Sequence, residues 1–371
     1  MPTATCARVG SRITASSGGL PVDDASWFAP SPDRSDWELP RDIRDRDVFG
    51  GSDCGWVEQM RPFIRHFSQP RQTVLDPFCG FATTLLAAGI EGRRGIGFEI
   101  DPQRAALARE RLQRHGVDAD IRTGPLSHEA TEVRADLCLT SVPYFGCSWN
   151  GEAVQGQLYL ERDYAGFLSG LRAVFHAVRR SLADDGFCIA MAENIVVGGR
   201  RFQLAWDVAR ILDSLYVAHE ERVLCYPRSV SPLPHAATST NRSHEYALVY
   251  QKRRETIDLQ ATLEILRAIE GAGFDFRLHG SFAAWLEAGM PAHGRRPADA
   301  DLLLPPRQDR LDALLRWLVA RGFELNLWGE PVKPPVDLPT WQAHHYVRAD
   351  RRGRDGSLVR LDLGCASVDA F

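Results

Sequence analysis

The pattern of apolar and polar residues along the N-terminal part of the chain alternates between short strands and amphipathic helices. An apolar strand ends on Asp76, a glycine-containing turn follows, and a helical run begins at Thr83. A second apolar strand then closes on Glu99. This strand, turn, helix, strand unit predicts the first half of a doubly wound α/β sheet, whose ligand lies beyond the carboxyl ends of the strands. A glycine turn after a strand is by itself typical of any nucleotide-binding α/β protein.

The same alternation continues to about residue 254. The run 103–116 has an apolar stripe and a stop signal at Gly116, so it predicts a helix, and we assign its arginines to a solvated face rather than to a phosphate site. Two further helices are expected over 161–182 and 202–215, with a strand over 187–198 between them. The alternation of strands and helices favours a parallel sheet covered on both faces.

Length and local composition predict the domain organisation. With 371 residues the chain is long enough for two domains, at roughly 150 residues per domain. Residues 1–36 are rich in Ser, Gly, Pro, Thr and Ala and predict a flexible N-terminal arm. We expect a first domain over 37–254 and a second over 255–371, because the pattern breaks after Arg254.

Composition narrows the class of protein. A chain that is 44% hydrophobic and 25% charged is typical of a soluble globular protein. No apolar run approaches the roughly 20 residues of a membrane helix and the N-terminus lacks a signal-peptide core, so a cytoplasmic protein without a membrane partner is expected. The net charge of −4 argues mildly against a protein that coats nucleic acid, although a local basic groove remains compatible with it. The scattered cysteines show no zinc-ligand spacing and are expected to be small buried hydrophobes.

A second informative stretch is ADLCLTSVPYFGCSWN, from residue 135 to residue 150. It predicts a buried strand that ends on Ser141 and leads into Val142, Pro143 and Tyr144. Taken alone, a Pro-Tyr pair after a strand is typical of a simple turn. Its position downstream of the first unit makes it a candidate functional loop.

Four stretches resemble, in content and in order, the motifs of the DNA amino-methyltransferases, which methylate N4 of cytosine or N6 of adenine: DPFCGFATT at 76–84, GIGFEIDP at 95–102, SVPY at 141–144 and SHEYALVYQK at 243–252. The resemblance covers roughly residues 48–254. It implies a Rossmann-like domain, S-adenosylmethionine as cofactor and DNA as partner. Ala82 stands where the family has its second glycine, and Val142 stands where it has its first proline.

The resemblance also implies a role for each matching residue. The methionine part of the cofactor would be held by the turn and the helix start, namely by Asp76, Pro77, Phe78, Gly80 and Thr83, and the ribose hydroxyls by Glu99. The target amino group would be bound by the side chain of Ser141 and the carbonyl of Val142, with Pro143 in the same loop and Tyr144 stacking on the base. Two acceptors suit this chemistry because they orient the lone pair of a weakly nucleophilic aromatic amine. We assign His244 and Glu245 a structural role first, with a place near the substrate as the alternative.

Two further segments leave alternatives open. The run 48–68 predicts a loop and a short amphipathic helix, which either lies over the cofactor, as in related methyltransferases, or is a packing helix. The loop 225–242 is rich in Pro, Ser and Thr and is long enough to be functional. It is either a substrate-recognition loop whose Arg228 and Arg242 meet phosphate, or a disordered segment.

The C-terminal part carries a different set of motifs. Its HGS at 279–281, DAD at 299–301 and LDL at 361–363 resemble the nucleotidyltransferase fold of the aminoglycoside-modifying type. The matching residues are Gly280, Ser281, Asp299, Asp301 and Asp362. The resemblance implies a smaller α+β domain in which the three aspartates bind Mg²⁺. The alternatives are an ordinary surface D-x-D and a degenerate copy that only binds.

Three functional hypotheses follow from these patterns. The first is an S-adenosylmethionine-dependent N-methyltransferase that acts on an exocyclic amino group of a DNA base. The second is the same chemistry on a small-molecule amine, guanidine or nucleoside. The third is a two-domain binding protein whose sites are degenerate.

Overall fold

A computed structural model of the chain describes residues 26–51, 53–130, 132–147, 149, 151–226, 238–239, 243–290 and 295–365. The chain divides into two compact units. The first comprises the residues up to Arg210 together with Ala218–Gln251, and the second comprises Ile211–Val217 and the residues from Lys252 onward. Within the described ranges no helix has the length and apolar character needed to cross a membrane.

The first unit alternates strands and helices. Its strands are β1 (Trp27–Phe28), β2 (Thr73–Asp76), β3 (Arg94–Glu99), β4 (Ala119–Thr123), β5 (Ala135–Ser141), β6 (Leu182–Ala192), β7 (Ile195–Val197), β8 (Arg200–Phe202), β9 (Val217–Cys225), β10 (Thr238–Ser239) and β11 (His244–Gln251). Its helices are α1 (Arg41–Arg44), α2 (Val57–Phe67), α3 (Thr83–Ile90), α4 (Pro102–Arg114), α5 (Tyr164–Ser181) and the first part of α6 (Leu204–Leu215), with a 3₁₀ turn at Leu158–Leu160.

The main sheet of this unit has the order β1-β9-β11-β6-β5-β2-β3-β4. Strands β4, β3, β2, β5 and β6 run parallel to one another, and β11 runs antiparallel to β6. The strand order therefore reverses between β2 and β5, and the carboxyl ends of these strands form the switch point at which ligands bind in doubly wound sheets. This is the α/β arrangement that the first sequence unit predicts.

The strand expected over 187–198 differs from the observed one. Strand β6 begins earlier and stops at Ala192, while β7 belongs to a separate sheet with β8 and β10. The break falls at Glu193 and Asn194, where the Asn194 side chain accepts a hydrogen bond from the backbone N–H of Ala205, 3.1 Å away. The side chain thereby links the end of β6 to the start of α6.

The prediction of a flexible arm over 1–36 is wrong for its described part, which begins at residue 26. Strand β1 pairs in parallel with β9 and so extends the main sheet. Asp33 accepts hydrogen bonds from the backbone N–H groups of Val57 and Glu58, at 2.9 and 2.8 Å. These are otherwise unpartnered donors of the first turn of α2, so a distant carboxylate caps that helix. Residues 1–25 lie outside the described ranges.

The assignment of the α4 arginines to a solvated face is wrong for two of them. Arg111 is fully buried and donates to the Phe81 carbonyl, the Thr83 hydroxyl and the Trp37 carbonyl. Arg104 is also buried, and it pairs with Asp47 and Asp53. Buried guanidinium groups need such partners because an uncompensated charge is costly in the interior.

The second unit consists of α7 (Leu259–Gly271), β12 (Arg277–His279), α8 (Gly280–Glu287), β13 (Ala300–Leu304), α9 (Gln308–Val319), β14 (Glu324–Leu327), β15 (Glu330–Val332), α10 (Leu338–Ala343), β16 (Tyr346–Arg352) and β17 (Leu358–Cys365). Its mixed sheet has the order β12-β13-β17-β16-β14-β15, with β13 and β17 parallel. The core is rich in leucine and contains the buried Trp341, whose Nε1–H donates to the Leu363 carbonyl at 2.6 Å.

Candidate functional site

The turn after β2 is braced by the buried carboxylate of Asp76. This group accepts hydrogen bonds from the Thr140 hydroxyl at 2.6 Å and from the Phe78 N–H at 3.1 Å. Burial raises the pKa of Asp76 to about 6, although its hydrogen bonds act in the opposite direction. The Thr140 contact joins the carboxyl ends of β2 and β5, so Asp76 shapes the switch point.

The backbone conformation of the same turn bears on two of its small residues, Gly80 and Ala82. Gly80 has a φ of +49°, and a Cβ built there would meet no atom within 4 Å. Ala82 also lies in the left-handed region, with a φ of +61°, where a side chain costs about 1–2 kcal/mol. Alanine at the position of the family's second glycine is therefore accommodated at the expense of local strain.

Glu99 ends β3 beside this turn. Its Oε1 accepts a hydrogen bond from the Asp101 N–H at 2.9 Å and its Oε2 accepts one from the Gly80 N–H at 3.0 Å. Burial raises the pKa of Glu99 to about 7, against the lowering effect of these two bonds and of Arg104. A carboxylate offers about four lone-pair sites, so the two backbone donors orient Glu99 and leave acceptor capacity for a ligand.

The SVPY loop begins where β5 ends. The N–H of Val142 donates to the Met191 carbonyl at 3.0 Å, a bond that the proline typical of the family would lack. Tyr144 is half-buried, and its hydroxyl is hydrogen-bonded to Glu193. Burial, followed by the charges of Glu193 and Glu245, raises the pKa of Tyr144 well above its ordinary value. The loop is thus held by specific hydrogen bonds, although Val142 replaces the proline that the family has at this position.

These elements surround one cavity of about 520 Å³ at the switch point. All the cofactor and catalytic residues predicted for the first domain line it: Asp76, Pro77, Phe78, Gly80, Thr83, Glu99, Ser141, Val142, Pro143 and Tyr144. The Thr83 hydroxyl accepts a hydrogen bond from Arg111 at 2.9 Å, which ties this side chain to α4. The structure therefore brings the predicted residues together, while their individual roles stay predictions.

The cavity also contains polar residues that the sequence patterns did not single out. Glu193 and Gln59 line it, and so does Glu245, for which a structural role was expected first. Glu245 accepts hydrogen bonds from the Gln59 side-chain amide at 2.6 Å and from the Tyr226 hydroxyl at 2.9 Å. One signal could have found Glu193, since it directly follows a parallel strand adjacent to the switch point.

Helix α2 confirms the packing interpretation of the segment 48–68, while a place over the cofactor stays a prediction. Its residues Phe63 and Ile64 are fully buried in the core of the unit, whereas Gln59 and Met60 line the cavity. The segment is both a packing helix and a wall of the cavity. Of the proposed recognition loop, residues 227–237 and 240–242, including Arg228 and Arg242, lie outside the described residues.

In the second unit the predicted metal-binding aspartates lie on one face of the sheet. Asp301 and Asp362 are direct partners in the parallel register of β13 and β17. Asp299 precedes Asp301 by two residues and so lies on the same face. Gly280 begins α8 with a φ of +69°, and a Cβ there would collide with the Asp301 carboxylate. The HGS and DxD motifs are therefore packed against each other.

The prediction that these aspartates bind Mg²⁺ is not supported, because Arg348 lies among them. Its Nε and Nη2 donate to the two carboxylate oxygens of Asp362, both at 2.7 Å, and Nη2 lies 3.6 Å from Asp299 Oδ2. The guanidinium thereby supplies the positive charge that a metal would bring. No group of three or more His, Cys, Asp or Glu side chains in the described ranges is arranged to hold a metal ion.

We expect Arg348→Ala to lower the free energy of unfolding by about 3 kcal/mol, because it leaves the buried Asp362 without its counter-charge. Urea titration of the full chain measures the change. Arg352→Ala, which removes an exposed pair with Glu255, is the matched control and should cost less than about 1 kcal/mol. Mg²⁺ should leave the Tm of the wild type unchanged, and an upward shift of the Tm would instead support the predicted metal site.

Parts of this chain are similar to known proteins. The family model for DNA methylases matches residues 57–110. A type II methyltransferase of Xanthomonas campestris pv. cyanopsidis is 41% identical over 56 residues, which are 15% of this chain and 19% of that protein. A tRNA (guanine(10)-N2)-dimethyltransferase of Methanothermobacter thermautotrophicus is 33% identical over 125 residues, which are 31% of this chain and 37% of that protein. The chain thus spans well under half the length of these curated relatives.

Among solved structures, an S-adenosylmethionine-dependent methyltransferase from Methanosarcina mazei aligns with a TM-score of 0.37 at 13% identity, covering 52% of this chain and 98% of that one. The sequence match, by contrast, includes the turn after β2 and Glu99, which the geometry places at the cavity. Over residues 57–110, the first unit of this chain is thus similar to the DNA methylase family.

Proposed function

We propose that the first unit is an S-adenosylmethionine-dependent N-methyltransferase that acts on an exocyclic amino group of a DNA base. One observation carries the proposal: Glu99, at the end of β3, and the SVPY loop, at the end of β5, line the same cavity. A cofactor site and an amino-group site would thus adjoin each other. The targets that the family resemblance implies are N4 of cytosine and N6 of adenine.

The residues present fit S-adenosylmethionine. Glu99 is held by two backbone N–H groups and keeps acceptor capacity for a pair of ribose hydroxyls, and the open space beside Gly80 lets the ligand approach the backbone. Asp76, Pro77, Phe78 and Thr83 shape the part of the cradle assigned to the methionine moiety. When bound, the cofactor supplies an activated methyl group.

The SVPY loop would receive the target. Ser141 and the Val142 carbonyl accept hydrogen bonds from the amino group, which directs the nitrogen lone pair toward the methyl carbon. Tyr144 stacks on the flat face of the target, and Pro143 restricts the loop between them. No general base is required, since the nitrogen can release its proton to solvent after the transfer.

A second candidate function is methylation of a small-molecule amine, guanidine or nucleoside. The specific observation in its favour is the presence of Glu193 and Glu245 in the cavity, because acidic side chains suit a substrate rich in N–H donors. The relative named for a tRNA guanine also shows that proteins similar to this chain are not confined to DNA.

For the second unit we propose a nucleotidyltransferase-like arrangement that binds a ligand but does not carry out metal-dependent catalysis. The contact of Gly280 with Asp301 and the common face of the aspartates support the arrangement, and the pairing of Arg348 with Asp362 argues against catalysis.

Transfer of a labelled methyl group from S-adenosylmethionine to duplex DNA, single-stranded DNA, tRNA and a panel of small amines tests the proposal for the first unit. Incorporation into DNA supports it, and incorporation confined to small amines favours the second candidate. A folded protein that neither binds the cofactor nor transfers a methyl group would contradict both.

A further inference from the structure

A buried side-chain oxygen without a hydrogen-bond partner lies in the wall of the cavity. It belongs to Gln157, which is only 4% exposed and lines the cavity at the start of the 3₁₀ turn Leu158–Leu160. Its Oε1 has no partner among the described residues, and its side chain does not cap the turn. A buried polar group in this state costs free energy unless a ligand supplies the missing bond. Gln157 therefore marks a ligand-binding position.

The backbone around Gln157 holds this side chain in place. Its N–H donates to the Val154 carbonyl at 3.1 Å, and its carbonyl accepts from the Leu160 N–H at 3.0 Å. The next residue, Leu158, packs so closely on α5 that a Cβ built at Gly170 would lie 2.4 Å from its Cδ2. Hydrogen bonds and packing thus fix the position of the amide in the cavity wall.

Gln157 lies at the end of the cavity that we assign to the cofactor ribose. A Cβ built at the preceding residue, Gly156, would lie 3.9 Å from Cδ1 of Ile100, which directly follows Glu99. Burial raises the pKa of Tyr159 well above its ordinary value, and the charge of nearby Glu99 adds to the shift. The base of a nucleoside is joined directly to its ribose. A base whose ribose is bound by Glu99 therefore lies next to this part of the wall.

Three aromatic side chains belong to the same cavity wall. The rings of Trp149 and Tyr159 lie 5.9 Å apart and are nearly parallel at 17°, while Phe49 meets them edge-on at 5.3 and 5.9 Å. All three line the cavity, and the Trp149 Nε1–H donates to the Glu152 carbonyl at 2.9 Å. Aromatic side chains are typical of sites that bind a nucleic-acid base. We call Phe49, Trp149 and Tyr159 the aromatic wall.

Arg104 holds the aromatic wall in place. Its guanidinium lies 5.3 Å from the ring centroid of Phe49 and 5.6 Å from that of Trp149. The same group donates to the carboxylates of Asp47 and Asp53, each at 2.8 Å. These bonds join α4 to the segment that carries Phe49. The wall is thereby preformed, which lowers the cost of ordering it when a ligand binds.

We propose that Gln157 binds the adenine base of S-adenosylmethionine, which lies against the aromatic wall. A glutamine amide offers an acceptor oxygen and N–H donors, and adenine presents an amino group beside a ring nitrogen that accepts. Oε1 accepts a hydrogen bond from the amino group, and the amide N–H donates to the ring nitrogen. This inference rests on the proposed methyltransferase function, and it adds a specificity-determining residue to the cofactor site.

The test compares S-adenosylhomocysteine with S-ribosylhomocysteine, which has the same amino acid and ribose but no adenine. Gln157→Met keeps the length of the side chain and removes both its donor and its acceptor. We expect the affinity of this variant for S-adenosylhomocysteine to fall about tenfold, and its affinity for S-ribosylhomocysteine to stay within about twofold of the wild type. Calorimetric titration of the full chain measures the first ligand, and competition against S-adenosylhomocysteine measures the second.

Gln113→Met, at an exposed position on α4, is the matched control and should leave both affinities unchanged. An equal fall for both ligands in Gln157→Met would overturn the inference, because the amide would then not act on adenine. Unchanged affinity for S-adenosylhomocysteine would also overturn it, and a raised KM for the methyl acceptor would then place the amide at the target. A folded wild type that binds neither ligand would contradict the proposed function itself, and the inference with it.

The stability of the ligand-free protein separates a binding role of Gln157 from a structural one. Because its Oε1 has no partner among the described residues, Gln157→Met should unfold at a urea concentration at least as high as the wild type does. Saturating S-adenosylhomocysteine should raise the urea midpoint of the wild type more than that of the variant. A clearly lower midpoint of the ligand-free variant would show that the amide stabilises the unliganded fold, and would overturn the inference.

Discussion

Tyr144→Ala is expected to lower kcat/KM for methyl transfer by at least about a hundredfold while cofactor affinity stays within about twofold. Stacking of an aromatic side chain on a base contributes roughly 1–3 kcal/mol, and loss of alignment at the reacting nitrogen adds to that cost. The variant also removes the hydroxyl that is hydrogen-bonded to Glu193. Cofactor affinity should persist because Glu99 and the turn after β2 lie on other strands.

The matched variant is Tyr144→Phe, which keeps the ring and removes only the hydroxyl. Its loss should be smaller than that of the alanine variant, since stacking is retained. Isothermal titration with S-adenosylmethionine and steady-state kinetics give the two quantities, and circular dichroism checks the fold. Normal turnover in Tyr144→Ala would return this side chain to a purely structural role.

Glu99→Gln is expected to weaken binding of S-adenosylmethionine by about 1.5–3 kcal/mol, or roughly ten- to a hundredfold. Glutamine fills the same space, but it replaces a charged acceptor of two ribose hydroxyls with a neutral amide. Calorimetric titration of folded protein measures the change. Unchanged affinity would remove the ribose assignment.

Although Glu99→Gln should weaken cofactor binding, it should raise the free energy of unfolding of the cofactor-free protein. Burial raises the pKa of Glu99 from an ordinary 4.5 to about 7. Between these values the unfolded chain has already lost a proton that the native state keeps, so the free energy of unfolding falls as the pH rises. Asp76, with its pKa raised to about 6, acts in the same direction.

Replacing Glu99 removes the ionisable group at position 99. It thereby removes the contribution of that group to the fall in the free energy of unfolding with rising pH. Glu99→Gln should therefore be more stable than the wild type by about 1–3 kcal/mol at pH 8, with a smaller difference at pH 5. Urea titrations of both proteins at the two pH values test this. A variant that is less stable than the wild type at pH 8 would show that the buried charge does not destabilise the fold. Cofactor affinity of the wild type should rise with pH through 7, because the ionised form is the acceptor.

The sequence patterns predicted the residues of the cavity that follow strands directly. Asp76, Glu99 and Ser141 each end an apolar run, and parallel strands place their carboxyl ends at one edge of a sheet. The sequence could not show what holds the SVPY loop, because the partners of Val142 and Tyr144 lie on β6 or at its end.

The local pattern of the sequence also gave wrong predictions for the surroundings of several charged residues. On α4, Arg104 and Arg111 look like exposed helix positions, yet both are buried because acidic side chains or carbonyls from the preceding segment reach them. In the second unit, the D-x-D and LDL motifs suggested a metal site, and the register of β16 against β17 instead places Arg348 beside Asp362.

What the sequence by itself determined is therefore the order of strands and helices, the similarity of residues 57–110 to DNA methylases and the strand-end residues of the candidate site. These depend on the period of apolar residues and on short motifs, which are local properties of the chain. Only the tertiary structure decided the partners: Gln59 against Glu245, Asp33 on α2, and Arg348 among the aspartates. Such pairs join residues far apart in the chain, and their distances depend on strand register and packing, which no local pattern records.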